Sequence, residues 1–323
     1  MKKLKPQQQK KKQEVKVLQL QEYKYNPTSP EDSMLNGTDV IVYLAQFGQH
    51  STYGEQTITG ASKLKKSLDT LYAHYLNDFP CDVIVFFGAD NEPDPVLFKR
   101  LQTGRPRLYF RQLNGKYWEL PHGLRAEDKW RWTLPGYSIG YRHMIRWYAY
   151  LIWPYLTSLG YTHVMRMDDD SYIHSSIKYN MFDYMRQNNK RYGFRQPCMD
   201  STGEEALTKV ILSHLENDPT SVPREQLDDF NKLRYLGFYN NWFIADMSFF
   251  LEPPVSTLSI DYYESKIILD QNDLLIQSVL VRLFLNPVQV KWFDDFTYEH
   301  ITDHGRNRPR NAAPFIRGFE FYF

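Results

Sequence analysis

The run from Tyr161 to Met167 is mostly apolar and stops at three consecutive carboxylates, Asp168-Asp169-Asp170. Few folds accommodate such a switch. A strand can carry buried side chains up to its carboxyl end and then present an Asp-x-Asp pair at the rim of an α/β sheet, where the ligands of open sheets bind. Carboxylates held there suit Mg²⁺ or Mn²⁺, which prefer oxygen donors and bridge protein carboxylates to nucleotide phosphates. A solvated turn explains an isolated acidic pair equally well, so the reading depends on the rest of the chain.

Two other segments are near-continuous apolar runs rich in β-branched residues: Asp39-Val40-Ile41-Val42-Tyr43-Leu44-Ala45 and Cys81-Asp82-Val83-Ile84-Val85-Phe86-Phe87. Runs of this kind form buried parallel strands. Between them, residues 46–60 are polar and carry three glycines, which reads as a loop. Ser62 is placed to cap a helix whose apolar face is Leu64, Leu68, Leu71, Tyr72 and Tyr75. A helix near 95–101 and a short strand at 108–110 complete a β-α-β-α-β order, which predicts a parallel sheet with right-handed crossovers. Ser138 starts a helix that runs past Tyr155, with Pro154 expected to kink or interrupt its last turns. Downstream, the pattern predicts a helix at 177–185, a strand at 192–194, an amphipathic helix at 204–215 and a strand at 242–247. A long apolar helix follows at 272–285, then a half-buried strand at 288–293.

With 323 residues, 42% of them hydrophobic, the chain can build one large α/β domain with a substantial core. The net charge of +1 provides no global field for nucleic acid or an anionic membrane. Lysines do cluster in the first twelve residues, and the Lys/Gln-rich segment to about residue 21 reads as a disordered basic tail. The expected organisation is a tail over residues 1–35 and a single catalytic domain over 36–323. No apolar run near the start is long enough for a signal peptide or a membrane span, so the expectation is a soluble chain, cytoplasmic or a luminal domain lacking its anchor. Cys81 and Cys198 alone make neither a disulfide framework nor a zinc site.

Three clusters carry the chemistry: Tyr141-Arg142-His143-Met144 in the first turns of a helix, Arg166-Met167-Asp168-Asp169-Asp170, and Tyr298-Glu299-His300. A helix N-terminus favours a diphosphate, and a tyrosine hydroxyl can add a hydrogen bond. Two carboxylates with one late imidazole suit Mn²⁺ better than Ca²⁺. The aromatic segment 116–135, with Tyr117, Trp118, Trp130 and Trp132, reads as a loop excursion packed on the sheet.

Taken in order, these motifs resemble the fungal α-1,2-mannosyltransferases of glycosyltransferase family 15. The resemblance covers roughly residues 39–300 and is carried by Tyr141-Arg142-His143-Met144 with Arg146, Tyr192-Gly193-Phe194, Asn241-Trp242-Phe243-Ile244-Ala245-Asp246-Met247, Asn272-Asp273 with Ser278 and Leu283-Phe284-Leu285, and Tyr298-Glu299-His300. It implies a GT-A type fold with a Rossmann-like, mostly parallel central sheet flanked by helices. It also implies Mn²⁺ (or Mg²⁺), GDP-mannose as donor, a glycan or glycoprotein acceptor, and transfer with retention of configuration. By position, the resemblance implies metal ligation by Asp168, Asp170 and His300, donor contacts from Tyr141, Arg166, Asp168 and Gln46, and acceptor chemistry at Asp273. The chain departs from the family where it has Asp168-Asp169-Asp170 for Glu-Pro-Asp, Gln46-Phe47 for Arg-Asn, and Phe243 for a glutamate discussed as a nucleophile. Phe243 leaves three routes open: front-face attack without that glutamate, a substitute carboxylate such as Asp246, or different chemistry. The same fold with a UDP-sugar or another GDP-sugar, and a non-catalytic sugar-nucleotide or glycan binder, are the alternatives.

Overall fold

A computed structural model of the chain describes residues 24–27, 32, 35, 37–48, 50–53, 56–91, 93–120, 125, 138–199, 204–232, 236–264 and 272–300. The basic tail to residue 21, the stretch 301–323 and most of the aromatic excursion lie outside them.

The apolar run Asp39–Leu44 forms β1, with Val40, Ile41, Val42 and Tyr43 fully buried. The next polar stretch, expected to be a loop, is instead a two-stranded antiparallel hairpin, β2 (His50–Tyr53) with β3 (Gln56–Thr59). Its β-branched threonines and Ile58 alternate at strand period, a signal masked by the surrounding glycines. Helix α1 (Gly60–Leu71) follows, and Thr59 rather than Ser62 is its cap, accepting from the Ser62 N–H. Then come β4 (Asp82–Gly88), α2 (Pro95–Gln102) and β5 (Leu108–Leu113). Ser138 caps α3 (Ile139–Arg146), which passes through a π turn (Trp147–Leu151) into α4 (Ile152–Ser158). The π turn ends two residues short of Pro154, which lacks the N–H that would bond to Tyr150 one turn back.

The acidic strand is β6 (His163–Met167), followed by the short β7 (Ser171–Ile173). Helix α5 (Met181–Gln187) starts four residues later than its apolar pattern predicts, because Asn180 caps it. Next are β8 (Tyr192–Met199), α6 (Glu204–Asn217), α7 (Arg224–Lys232), β9 (Leu236–Asp246), α8 (Met247–Leu251), α9 (Val255–Glu264) and α10 (Asp273–Phe284), then β10 (Val290–Trp292) and β11 (Tyr298–His300).

Seven strands form the main sheet in the order β10-β8-β9-β6-β1-β4-β5. Only β9 runs against its neighbours; the other pairings are parallel. The chain builds outward from β1 to β4 and β5, then returns through α3 to place β6 on the other side of β1. The strand order therefore reverses between β1 and β6, and at such a switch point the carboxyl ends open a ligand crevice.

The pleat divides the core. Val40, Val42, Ile84, Phe86 and Val164 face the aromatic segment Trp147–Leu156 and helix α10. Ile41, Tyr43, Val83, Val85, Met165 and Met167 face α1 and α5. Residues expected in the tail also pack: Tyr25 lies against Tyr155, its N–H donates to Ser158 Oγ at 3.1 Å, and Asp32 pairs with Arg111. Packed structure thus begins upstream of residue 36. Among the described residues, no helix is long and apolar enough to cross a membrane.

Gly60 joins the hairpin to α1, and a Cβ there would collide with the Gln46 main-chain carbonyl. Backbone cannot yield as a side chain does, so Gly60→Ala is expected to cost about 1–3 kcal/mol. Urea unfolding should show a lower midpoint at unchanged slope.

Candidate active site

Strand β6 leaves the core at Met167, which is fully buried, and the chain turns at once. The Asp168 N–H donates to Asn241 O at 3.0 Å, and the Asp168 carbonyl accepts from the Ser171 N–H at 3.0 Å. That turn leads directly into β7, which pairs with β11 in the register His300↔Ser171. Ser171 Oγ and the Tyr298 hydroxyl, 2.7 Å apart, lock the pairing from inside. A histidine 130 positions along the chain is thereby set beside Asp170.

Candidate ligand atoms of Asp168, Asp170 and His300 all lie within 4.8 Å of one another. His300 Nε2 is 3.0 Å from Asp170 Oδ1 and 3.8 Å from Asp168 Oδ2, and Lys63 Nζ is 3.8 Å from Asp170 Oδ2. Asp169 turns toward the end of β1, where its Oδ2 accepts from the Gln46 N–H at 3.4 Å. Burial pushes the carboxyls of Asp168 and Asp169 above the usual range, and the charge on Asp170 adds to it, against the lowering effects of Arg166 and His300 on Asp168 and of Lys63 on Asp169. Three crowded carboxylates with too little positive charge are suited to a divalent cation. Two carboxylates plus one imidazole fit Mn²⁺ by donor chemistry.

Arg166 organises the floor of the site. It is 4% exposed. Its Nε donates to Asp168 Oδ1 at 2.9 Å, its Nη1 donates to Asp273 Oδ2 at 2.5 Å, and its guanidinium stacks 3.6 Å from the centre of the Tyr148 ring. Asn240 Nδ2 donates to the same Asp273 oxygen at 2.7 Å.

Two clefts meet here. One of about 180 Å³ holds the three aspartates, Arg166, Tyr148, Lys63, Met144 and His300. The other, about 480 Å³, lies at the ends of β1 and β4 and is lined by Gly88, Asp90, Asn91, Trp118 and the first turn of α3. Leu44 and Gln46 border both.

Five of the expected site residues converge on these clefts: Asp168, Asp170, His300, Arg166 and Gln46. Tyr141 lies one turn before Met144 on α3, and Tyr148 follows in the π turn. Asp273 does not line the cleft; it sits behind Arg166 as its buried counter-ion. Asp246 does not join these clefts. It pairs with His163 at the opposite end of β6, five residues or about 16 Å of strand from Asp168. There it caps α8 and accepts from Arg191, and these bonds hold its carboxyl below the usual range in spite of burial. Phe243 stands across from Arg166 in the ladder, but its ring is fully buried and stacks on Tyr192 at 5.7 Å. Sequence reasoning missed Lys63, Tyr148 and Asn240. Each looks like an ordinary helix-surface lysine, core aromatic or strand asparagine until the fold places it.

The family model described as "Glycolipid 2-alpha-mannosyltransferase" matches residues 125–310, more than half of the chain. Among curated relatives, the probable mannosyltransferase KTR3 of Saccharomyces cerevisiae is 24% identical over 57% of this chain and 50% of its own length. The glycolipid 2-alpha-mannosyltransferase of the same yeast is 25% identical over 65% and 52%. The chain therefore spans about half the length of the curated relatives it matches. Among solved structures, core-mannan synthase A of Aspergillus fumigatus in its Mn/GDP form superimposes with a TM-score of 0.67 at 17% identity, over 91% of this chain and 82% of that one. The mannosyltransferase Ktr4p of S. cerevisiae in complex with GDP gives 0.67 at 18% identity, over 94% and 88%. These likenesses establish a GT-A type α/β fold.

Proposed function

The chain belongs to the glycolipid 2-alpha-mannosyltransferase family, and from that membership we propose that it is a metal-dependent glycosyltransferase that moves mannose from GDP-mannose to a hydroxyl of a glycan with retention of configuration. The observation that carries the proposal is the convergence of Asp168, Asp170 and His300 donor atoms within 4.8 Å at the crevice between β1 and β6. Those three residues would hold Mn²⁺, which supplies a Lewis acid for the charge growing on the leaving diphosphate.

The chain's own groups do the rest. Lys63 lines the same cleft and offers a second positive charge to the diphosphate oxygens. Arg166 orients Asp168 through its Nε bond, and Asp273 with Asn240 holds Arg166 still. Asp273 therefore acts as a positioning residue. Gln46, at the junction of the clefts, and Tyr141 contact the donor. The acceptor hydroxyl attacks the anomeric carbon from the face the nucleotide leaves. Its new C–O bond forms as the bond to phosphate breaks, and its proton passes to the departing phosphate oxygen. This route retains configuration and requires no carboxylate at Phe243, whose ring is packed in the core.

The test is nucleotide release from GDP-mannose and from a panel of UDP-sugars, each with Mn²⁺ and with EDTA. The expected result is GDP release from GDP-mannose that requires Mn²⁺ and stops with EDTA. Turnover of a UDP-sugar with none of GDP-mannose would overturn the donor, and turnover undiminished by EDTA would overturn the metal.

A further inference from the structure

The larger cleft has a polar side chain of its own that the reaction above does not use. Asp90 lies just beyond β4, and Trp118 Nε1 donates to its Oδ1 at 2.8 Å. A Cβ at Gly88 would collide with both the indole and the Asp90 carboxylate, so the bare glycine lets the two rest directly on the strand end. The tether fixes one carboxylate oxygen. The other, Oδ2, accepts no hydrogen bond among the described residues and lies 3.7 Å from where a Gly140 Cβ would stand, facing the first turn of α3. The result is an aromatic wall beside an aimed carboxylate in a cleft of about 480 Å³, a volume typical of small-molecule sites. Leu44 and Gln46 connect this cleft to the carboxylate cluster. A nucleotide whose diphosphate sits at the cluster would place its nucleoside here.

We propose that Asp90 reads the base of the donor and makes the site selective for guanine, an inference that rests on the sugar-nucleotide reading above. A carboxylate only accepts hydrogen bonds. Guanine presents two adjacent donors, N1–H and N2–H₂, which match two carboxylate oxygens in a charge-assisted pair. Uracil presents one N–H between two carbonyl oxygens, and adenine and cytosine present a donor beside an acceptor, so each would face the carboxylate with a repelling lone pair. Trp118 supplies a ring face for the base without discriminating between bases.

The experiment is calorimetric binding of GDP and of UDP to the full chain in Mn²⁺, for the parent and for Asp90→Asn. Asp90 is exposed, so the fold should tolerate the change, and circular dichroism checks it. The parent should prefer GDP. The variant should lose between about 5-fold and 150-fold in GDP affinity and keep its UDP affinity, so that the preference collapses. Equal losses for both nucleotides, or an unchanged GDP affinity, would overturn the role of Asp90 and leave the nucleotide site standing. A parent that binds GDP and UDP equally would do the same. A parent that binds neither nucleotide would overturn the sugar-nucleotide reading and this inference together.

Discussion

Asp170→Asn is expected to weaken Mn²⁺ binding about 100-fold and to lower mannosyl transfer by about 10²–10³. Asp170 is 5% exposed and lies between His300 and Lys63; among the described residues, the other carboxylate of the acidic run, Asp169, is turned away toward Gln46 and cannot readily replace it. An amide keeps the shape but presents a neutral donor. Thermal unfolding gives a measurement independent of turnover. An ion that binds only the folded chain stabilises it by about 2.7 kcal/mol at a hundred times its dissociation constant. At the same concentration a variant with hundredfold weaker affinity gains only about 0.4 kcal/mol. The parent should therefore melt at a clearly higher temperature in Mn²⁺ than in EDTA, and Asp170→Asn should show almost no difference. His300→Ala should behave similarly. A variant that keeps the full Mn²⁺-induced shift would remove Asp170 from the ligand set.

Arg166→Met should produce the largest loss of stability of any single change at the site, about 3–5 kcal/mol. Arg166 is buried with Asp273, which is itself 4% exposed and which it compensates, while its other partner, Asp168, is half-buried. Removing the guanidinium leaves that carboxylate buried with, among the described residues, only Asn240 donating to it. The penalty arises from the stranded charge rather than from the lost pair, and this is testable. Asp273→Asn on the Arg166→Met background should recover part of the loss, giving a double-mutant coupling above about 1 kcal/mol. Urea unfolding of the four proteins measures it. Strict additivity would mean that Asp273 is not held by Arg166, and the positioning role assigned to it would fail. The double variant should regain stability without regaining transfer, because Asp168 still lacks its orienting bond.

Much of the fold is legible in the chain because it depends on local pattern. The runs at Asp39–Leu44 and Asp82–Gly88 are apolar without alternation, and only a strand covered on both faces needs that. The caps at Ser138 and Asn272 mark helix starts through their own side-chain oxygens. The acidic end of β6 is visible for the same reason: a buried strand that stops at three charges must emerge from the core there. The hairpin β2–β3 and the late start of α5 were not legible, since short strands in a glycine-rich stretch and one capping asparagine carry too little signal against their surroundings.

The chain alone also marks Asp168, Asp170 and His300, but through family likeness rather than through chemistry that spacing could supply. What brings the histidine to the carboxylates is the β7–β11 pairing, a contact between segments more than a hundred residues apart. The same distinction decides the two acidic residues that sequence could not separate. Asp246 and Asp273 both stand beside family motifs, yet antiparallel β9 carries Asp246 to the far end of β6, while the cap of α10 brings Asp273 beneath Arg166. Strand direction and helix placement are properties of the packed sheet, because a side chain's neighbours across a ladder depend on how the strands align and not on the residues beside it in the chain. Local pattern in the chain marks most of the elements and the point where β6 leaves the core. The packing of the sheet is what sets Asp168 and Asp170 beside His300 and holds Asp273 beneath Arg166.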